Sequence, residues 1–239
     1  MKHFVTVLLF ITLLSLLTSC SITFGDCSPV EAKWADTLMI NDIHYQHDFP
    51  DPGDQEEIQV EKGKLLGEVK YKMADDACEG YQMKNNDATL LEEGTKIYAI
   101  KDIPPSLAVV TYNKDVLSAS RVFVVDQNKK AKTIGEVYPI QGLVKDIHIE
   151  STLDGRRIHT FIPSSTEAFL KEWMPLKLQD PQKLDSKWDE NKMIFLEFEL
   201  TNGITFRQSY NLDSKVFHSS AVGNEAIADI IKKEYASID

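Results

Sequence analysis

Met193–Tyr210 reads MIFLEFELTNGITFRQSY and decides how the second half of the chain folds. Two runs rich in hydrophobic residues flank the dipeptide Asn202-Gly203, a strong signal for a β-hairpin. A two-residue loop there would place Phe198 opposite Arg207 and mix the two faces of the sheet. A three-residue loop with a left-handed glycine instead places Phe198 opposite Phe206. The pattern therefore predicts the three-residue loop.

A second hairpin is predicted upstream, in the stretch KDIHIESTLDGRRIHTFI of Lys145–Ile162. A two-residue loop at Asp154-Gly155 pairs Glu150 with His159. This register gives the sheet a buried apolar face, made of Ile147, Ile149, Leu153, Ile158 and Ile162. It gives the other face a polar set, made of His148, Glu150, Arg157 and His159.

A helical pattern follows each hairpin. Ser164–Glu167 offers a capping box for a helix that Pro175 ends. Asn224 is placed to cap the last helix. The apolar stripe of that helix is formed by Ile227, Ile230, Ile231 and Tyr235. The order ββα-ββα predicts a four-stranded antiparallel sheet with two helices on one face.

The first half contains short strand-like runs bounded by turn residues. They are Leu38–Tyr45, Leu65–Lys72, Lys96–Lys101, Leu107–Tyr112 and Arg121–Val125. We therefore expect an α+β protein in which an N-terminal antiparallel β unit is followed by a ββαββα unit. The corresponding domains are a β-rich domain at 37–139 and an α+β domain at 140–239.

The polar face of the first hairpin is the candidate site for chemistry. His148, Glu150 and His159 lie there in the predicted register, and a carboxylate beside an imidazole can act as a general base. The same pair is also an ordinary cross-strand ion pair. The sequence places no nucleophile or oxyanion donor beside them, so both interpretations stay open.

Two further polar clusters deserve weighing. His44 and His47, with Asp48, Asp51 and Asp54, carry metal-ligating side chains. The two histidines point to opposite faces of a strand, however, and the Asp spacing does not fit a calcium loop, so a solvated loop without a metal is predicted. A later charged loop, with Asp185, Trp188, Asp189 and Glu190, either lines a groove or covers the edge of the core.

Composition and motifs exclude some functions. The formal net charge of -11 argues against nucleic-acid binding and against docking on anionic lipid through a basic surface. No phosphate-binding glycine loop, G-x-S-x-G, H-E-x-x-H or C-x-x-C motif occurs. We therefore expect no cofactor, and a binding role is favoured over catalysis.

The N-terminal stretch is apolar from Phe4 to Leu17, except for two threonines and a serine. A helix of that length rises only about 21 Å, against roughly 30 Å for a bilayer core. The stretch is therefore too short for a membrane span and fits the apolar region of a signal peptide.

Leu17-Thr18-Ser19-Cys20 resembles the lipobox of bacterial lipoproteins. The resemblance implies a signal peptide at 1–19, cleavage before Cys20, a diacylglyceryl thioether on that cysteine and a lipidated tether at 20–36. The protein would then be anchored to the cell membrane and face outside the cytoplasm, where disulfides are stable. Of the other cysteines, Cys27 and Cys78 either form a disulfide or stay unpaired.

The body of the chain is similar to uncharacterised lipoproteins of Gram-positive bacteria. The similar stretches are GTKIYAIKDIPPSLAVV at Gly94–Val110 and FLEFELTNGITFRQSYN at Phe195–Asn211. The resemblance implies an extracytoplasmic protein with an unidentified protein or small-molecule partner. Two alternatives stay open, an anchored enzyme that uses the Glu150/His159 face and the solute receptor of an importer.

Overall fold

A computed structural model describes residues 35–47, 58–78, 80–112 and 120–238 of the protein. Within these ranges the chain is a mixed α+β protein with two sheets, and nearly all of the strand pairs are antiparallel. The expectation of an α+β fold is thus confirmed. No helix in the described ranges has the length and apolar character to cross a membrane.

The first sheet has eight strands in the spatial order β3-β6-β7-β8-β2-β1-β5-β4. Their bounds are β1 Thr37–Ile40, β2 Ile43–His47, β3 Lys62–Glu68, β4 Tyr71–Lys72, β5 Asp87–Ala88, β6 Lys96–Ile100, β7 Ala108–Tyr112 and β8 Ser120–Asn128. A short helix, α1 (Met73–Asp76), lies between β4 and β5. The five predicted strand regions all contribute to this sheet.

One predicted strand, Leu38–Tyr45, is in fact a tight hairpin. Asn41 and Asp42 have φ values of 55° and 65°, and Ile40 pairs with Ile43. Two consecutive left-handed residues make the type I′ turn that joins antiparallel strands, and Asn and Asp tolerate this conformation better than most residues. The run was predicted as one strand because its residues are apolar on both sides of the turn.

The second sheet has six strands in the order β10-β9-β11-β12-β13-β14. Their bounds are β9 Val144–Glu150, β10 Arg157–Thr160, β11 Met193–Leu200, β12 Thr205–Asn211, β13 Val216–Phe217 and β14 Ala221–Val222. The helices of this half are α2 Ile134–Val137, α3 Pro163–Trp173, α4 Pro181–Leu184 and α5 Glu225–Tyr235. The predicted number of four strands is wrong, because the short strands β13 and β14, which were not predicted, extend the sheet to six.

The hairpin of β11 and β12 forms as predicted. Phe198 pairs with Phe206 and Glu197 pairs with Arg207. Gly203 has a φ of +84°, which is the left-handed conformation that the three-residue loop requires. Two backbone hydrogen bonds between Leu200 and the residues that follow close this loop.

The register predicted for β9 and β10 is wrong. A four-residue loop connects Ser151 to Arg156, and the pairing then shifts at a bulge, so His159 lies opposite Ile149 instead of Glu150. A one-residue shift moves a side chain to the other face of a sheet. Three residues that were predicted to be buried are exposed instead: Leu153 at 96%, Ile158 at 43% and Ile162 at 46%.

The N-terminus of α3 also differs from the prediction. The helix begins at Pro163, and Ile162 at its N-cap makes no side-chain cap, so the expected capping box is absent. The Glu234 carboxylate of α5 lies there instead, accepting hydrogen bonds from the Ile162 backbone and the Ser165 side chain. A carboxylate from a helix distant in the sequence thus takes the place of the local side-chain cap. The predicted cap of α5 is confirmed, because Asn224 Oδ1 accepts from Ile227 N at 3.0 Å.

A single hydrophobic cluster includes buried residues of both sheets. Its centre is aromatic, with Trp173 4.7 Å from Phe198 between ring centroids and Phe198 4.8 Å from Phe206. The segment at α2 joins the halves, because Ile134 N donates to the Leu176 carbonyl at 2.9 Å. The domain boundary predicted at 139/140 therefore lies beside a segment that bonds across it, and the boundary itself stays a prediction.

Candidate functional site

A cleft of about 930 Å³ lies between the two sheets. The C-terminal part of β8 lines one side, and β12, β13 and the turn after β13 line the other. Residues 178–188, which contain α4, close a third side. This is the size of a small-molecule site, for which the usual range is roughly 300–1,000 Å³.

Apolar side chains form part of the walls of the cleft. Val125 of β8, Val137 of α2 and Leu184 of α4 line it, and all three are buried. Phe206 and Phe217 contribute from the second sheet. The strand alternation that points these side chains into the core also gives the cleft its apolar surface.

Tyr138 and Gln208 meet at the cleft. Gln208 Nε2 donates to the Tyr138 hydroxyl at 2.9 Å and to the Arg207 carbonyl at 3.1 Å. The Tyr138 ring is stacked on Phe206, with centroids 5.0 Å apart and an interplanar angle of 3°. Burial raises the pKa of the Tyr138 hydroxyl, so this group stays protonated and neutral across the physiological range.

Two buried polar atoms on residues that line the cleft have no hydrogen-bond partner among the described groups. They are Gln208 Oε1 and Ser219 Oγ. An unsatisfied buried polar group costs about 1–3 kcal/mol, so such groups are uncommon in folded proteins. A donor group of a bound molecule or of an ordered water would remove this cost.

The rim of the cleft contains Trp188, Asp185 and His218. The Trp188 ring is half-buried and meets the His218 ring edge-on, with 6.1 Å between centroids. The sequence had offered two interpretations of the loop that holds Asp185 and Trp188. The structure places these two residues along a groove.

The histidines of the first sheet have separate partners. His44 Nδ1 lies 3.1 Å from Asp126 Oδ2, and Asp126 lines the cleft. His47 Nδ1 bonds the Val122 carbonyl at 2.8 Å, and its ring contacts Phe123. The three aspartates considered with them, Asp48, Asp51 and Asp54, lie outside the described residues.

The predicted polar face of the second sheet is a buried ion-pair network. Arg207 makes two hydrogen bonds to Glu150, one of them at 2.8 Å between Nη2 and Oε1. Arg157 Nε donates to Glu197 at 2.5 Å. Glu150 and Glu197 are each only 2% exposed, whereas the side chains of Arg157 and Arg207 keep 27% and 30% of their surface exposed, so the carboxylates lie beneath their arginine partners.

His148 and His159 lie on opposite faces of this sheet. His148 Nδ1 is 2.9 Å from Thr160 Oγ1, and its Nε2 is 3.1 Å from Glu199. His159 Nε2 is 2.7 Å from Glu234 of α5, on the helix side. Because of the shifted register, the structure does not bring Glu150 and His159 together as an acid–base pair.

Asp146, His148 and Glu199 place their ligand atoms within 4.8 Å of one another. Lys145 Nζ is 2.7 Å from the Glu199 carboxylate, and both nitrogens of His148 already have partners. Burial raises the pKa of Glu199, but the hydrogen bonds from Lys145 and His148 outweigh it and hold that pKa below its usual value. The cluster is therefore an ion-pair network that joins neighbouring strands.

The cysteines are only partly described. Cys78 is disulfide-bonded, and its partner lies outside the described residues, as do Cys20 and Cys27. The pairing of Cys27 with Cys78 and the lipidation of Cys20 therefore stay predictions.

Gln208, Ser219 and Tyr138 were not singled out from the sequence. One signal for Gln208 was present, since the alternation in FRQSY puts it on the same face as Phe206 and Tyr210. A glutamine at a position that faces the core needs a hydrogen-bonding role. No comparable signal marks Ser219, which lies in an unpredicted turn.

Comparison with known proteins adds no assignment. The chain matches no protein-family model, no curated protein and no solved structure. Function therefore has to be inferred from the residues and from their arrangement in the fold.

Proposed function

We propose that this protein is a lipid-anchored, extracytoplasmic binding protein that holds a small ligand in the cleft between its two sheets. The observation that carries the binding role is the cleft itself, with partly apolar walls and two unsatisfied polar groups at Gln208 and Ser219. Apolar concavities with a few convergent polar groups are the usual form of a ligand site.

The chemistry of the cleft favours binding over catalysis. Nucleophilic catalysis by serine requires a base within hydrogen-bond reach of the hydroxyl. Ser219 Oγ has no partner among the described groups, so no base activates it there. Glu150 and His159, the pair considered for an anchored enzyme, lie on opposite faces of the sheet, which gives that alternative no support.

The arrangement of strands and helices in the second half of the chain is also part of the proposal. We infer that residues 140–239 form a ββαββα unit whose helices cover one face of the sheet. The support is the burial of Phe169 and Trp173 on α3 and of Ile227 and Ile231 on α5, each 0% exposed.

The anchor is supported by the lipobox resemblance at Leu17 to Cys20 and by the length of the apolar stretch before it. Intact-mass measurement of the protein from the membrane fraction tests it. We expect an N-terminal Cys20 carrying a diacylglyceryl group. We expect the Cys20→Ser variant to carry no diacylglyceryl group. An unmodified species that begins at Met1 or Ser21 contradicts the anchor.

Ligand binding is tested by thermal unfolding of the full-length protein, followed by circular dichroism, with a panel of small molecules. The panel contains neutral sugars, amino acids, phosphate and a fatty acid. A ligand raises the unfolding midpoint because it binds only the folded state. We expect at least one member to do so in the wild type and in a Gln141→Met control, but not in Gln208→Met. Gln141 is an exposed glutamine that does not line the cleft. A rise that Gln208→Met keeps, or no rise with any member, contradicts a site in the cleft.

The same cleft favours a second candidate, the solute receptor of an importer, because its lining comes from both halves of the chain. Such receptors close around their ligand through a hinge. The hydrophobic cluster shared by both sheets opposes a hinge, because opening would expose it. Small-angle X-ray scattering distinguishes the two, since a receptor contracts when ligand is added and a fixed site does not.

A further inference from the structure

The polar lining of the cleft is dominated by uncharged groups. Carboxamides are contributed by Gln46, Gln127, Asn128, Gln179 and Gln208, and hydroxyls by Tyr138, Ser219 and Ser220. A carboxamide both donates and accepts hydrogen bonds, and so does a hydroxyl. A ligand whose own groups do both is the natural complement of this lining.

The charged side chains at the cleft are few and of mixed sign, and the Asp126 carboxylate is the one whose charge acts on the Tyr138 hydroxyl. The Arg207 guanidinium bonds Glu150 and lies 4.9 Å from the Phe195 ring centre, on the face of the sheet opposite Gln208. Asp126 is bonded to His44. The remaining pair, Lys129 and Asp185, are exposed and of opposite sign. These charges form no cluster of one sign, and a cluster of one sign is what attracts an ion strongly.

The rim also offers a flat apolar surface. Trp188 lines the cleft and is half-buried, so its indole combines apolar contact area with accessibility. The C–H face of a sugar ring packs on such a surface, while the hydroxyls at the edge of the ring need hydrogen-bond partners. Gln208 Oε1 and Ser219 Oγ are buried without a described partner, and a ligand hydroxyl that reached them would find two acceptors.

From these three features we propose that the ligand is an uncharged carbohydrate, bound with its ring against Trp188 and its hydroxyls toward Gln208 and Ser219. The proposal rests on the ligand-binding function proposed above and adds the chemical class. The cleft volume of about 930 Å³ has room for more than one sugar ring.

The experiment is isothermal titration calorimetry of the full-length protein in a detergent without a sugar headgroup. The probes share a glucose ring and differ in charge: N-acetylglucosamine and its β-1,4 disaccharide are neutral, glucosamine is cationic and glucose 6-phosphate is anionic. Sodium laurate serves as an apolar probe. We expect the neutral sugars to bind about tenfold more tightly than either charged sugar.

Substitutions in the cleft test whether the heat of binding comes from this site. Trp188→Ala and Gln208→Met are each expected to weaken binding of the neutral sugars by about tenfold, whereas the matched Gln141→Met control leaves it unchanged. Circular dichroism confirms that each variant is folded.

The outcomes distinguish the proposed ligand class from the proposed binding function. If a charged sugar or laurate binds in a Gln208-dependent way and the neutral sugars do not, the ligand is not an uncharged carbohydrate and the binding function stands. If no probe gives a saturable heat that the cleft variants reduce, both are overturned. Equal binding of neutral sugars to wild type and Gln208→Met also overturns the carbohydrate proposal.

Discussion

The Gln208 amide nitrogen donates a 2.9 Å hydrogen bond to the Tyr138 hydroxyl, and this bond joins β12 to the segment after α2 at the cleft. It uses the donor side of the glutamine and leaves Oε1 without a described partner. The residue therefore serves the fold with its nitrogen, and its buried oxygen is the acceptor that our proposal assigns to a ligand.

The first prediction concerns this bond. Tyr138→Phe removes the acceptor, so Gln208 Nε2 keeps only its bond to the Arg207 carbonyl, and we expect the free energy of unfolding to fall by about 1 kcal/mol. Urea denaturation measures it. Tyr235→Phe is the matched control, because Tyr235 is 44% exposed, and it should change stability little. Equal stability of the two variants would show that the bond contributes nothing.

The second prediction concerns the pair of Arg207 and Glu150. Arg207→Met removes a cation that makes two hydrogen bonds to Glu150, whose carboxylate is 2% exposed. We expect the free energy of unfolding to fall by about 3 kcal/mol. Lys145→Met, at an ion pair whose lysine is 55% exposed, should cost under about 1 kcal/mol. The double variant Glu150→Leu/Arg207→Met should recover part of the loss, since it does not leave the Glu150 charge buried without Arg207. Chemical denaturation of all three variants measures these changes in the free energy of unfolding.

The third prediction concerns Glu234 and pH. Burial raises the pKa of this carboxyl, but hydrogen bonds from His159, Ser165 and the Ile162 backbone outweigh it and hold the pKa below its usual 4.5. A carboxyl with a lowered pKa in the folded state stabilises the protein above the pKa of the unfolded state. That contribution is lost as the pH falls through the lowered value.

We therefore expect Glu234→Gln to be less stable than wild type at neutral pH, and the difference to shrink below about pH 4. Unfolding free energies at a series of pH values measure this. Glu167→Gln, at an exposed glutamate of α3, provides the control. A difference between wild type and Glu234→Gln that is independent of pH would contradict the assignment.

The fourth prediction concerns the loop between β11 and β12. Gly203 has a φ of +84°, and nothing lies within 4 Å of the position a Cβ would occupy, so a substitution there tests backbone strain alone. Gly203→Ala should cost about 1–2 kcal/mol, and Gly203→Asn should cost less, because Asn tolerates the left-handed region. Thermal unfolding compares the two. Equal losses would contradict a left-handed conformation at this position.

The fifth prediction concerns the disulfide of Cys78. If Cys20 carries the lipid, Cys27 is the remaining partner in the chain. Peptide mapping without reduction should therefore recover a cross-linked peptide that contains Cys27 and Cys78. A Cys20–Cys78 peptide would contradict both the pairing and the lipidation.

The sequence predicted the fold where local signals and burial agreed. The β11–β12 loop was predictable because only one loop length keeps Phe198 opposite Phe206 on the apolar face. The cap at Asn224 was predictable because it is local. The β9–β10 register was not, because a bulge after Arg157 changes the pairing and leaves no mark in the apolar pattern.

The candidate site was largely beyond prediction because it is assembled from distant segments. Asp126, Tyr138, Gln208 and Ser219 come from both sheets and from two connections, and only the fold brings them together. The buried ion pairs had a partial signal, since Glu197 and Arg207 face each other across the predicted hairpin. Their burial was not predictable, because alternating charges usually indicate a solvated face.

Hydrogen–deuterium exchange of the full-length protein, with and without N-acetylglucosamine, tests the central claim most directly. If the ligand binds between the sheets, amide exchange should slow in residues 124–131, 205–211 and 216–222, and should not change in the loop between β9 and β10. The Gln208→Met variant should lose that protection while Gln141→Met keeps it. Unchanged exchange along the cleft, or protection confined to another surface, would contradict the account.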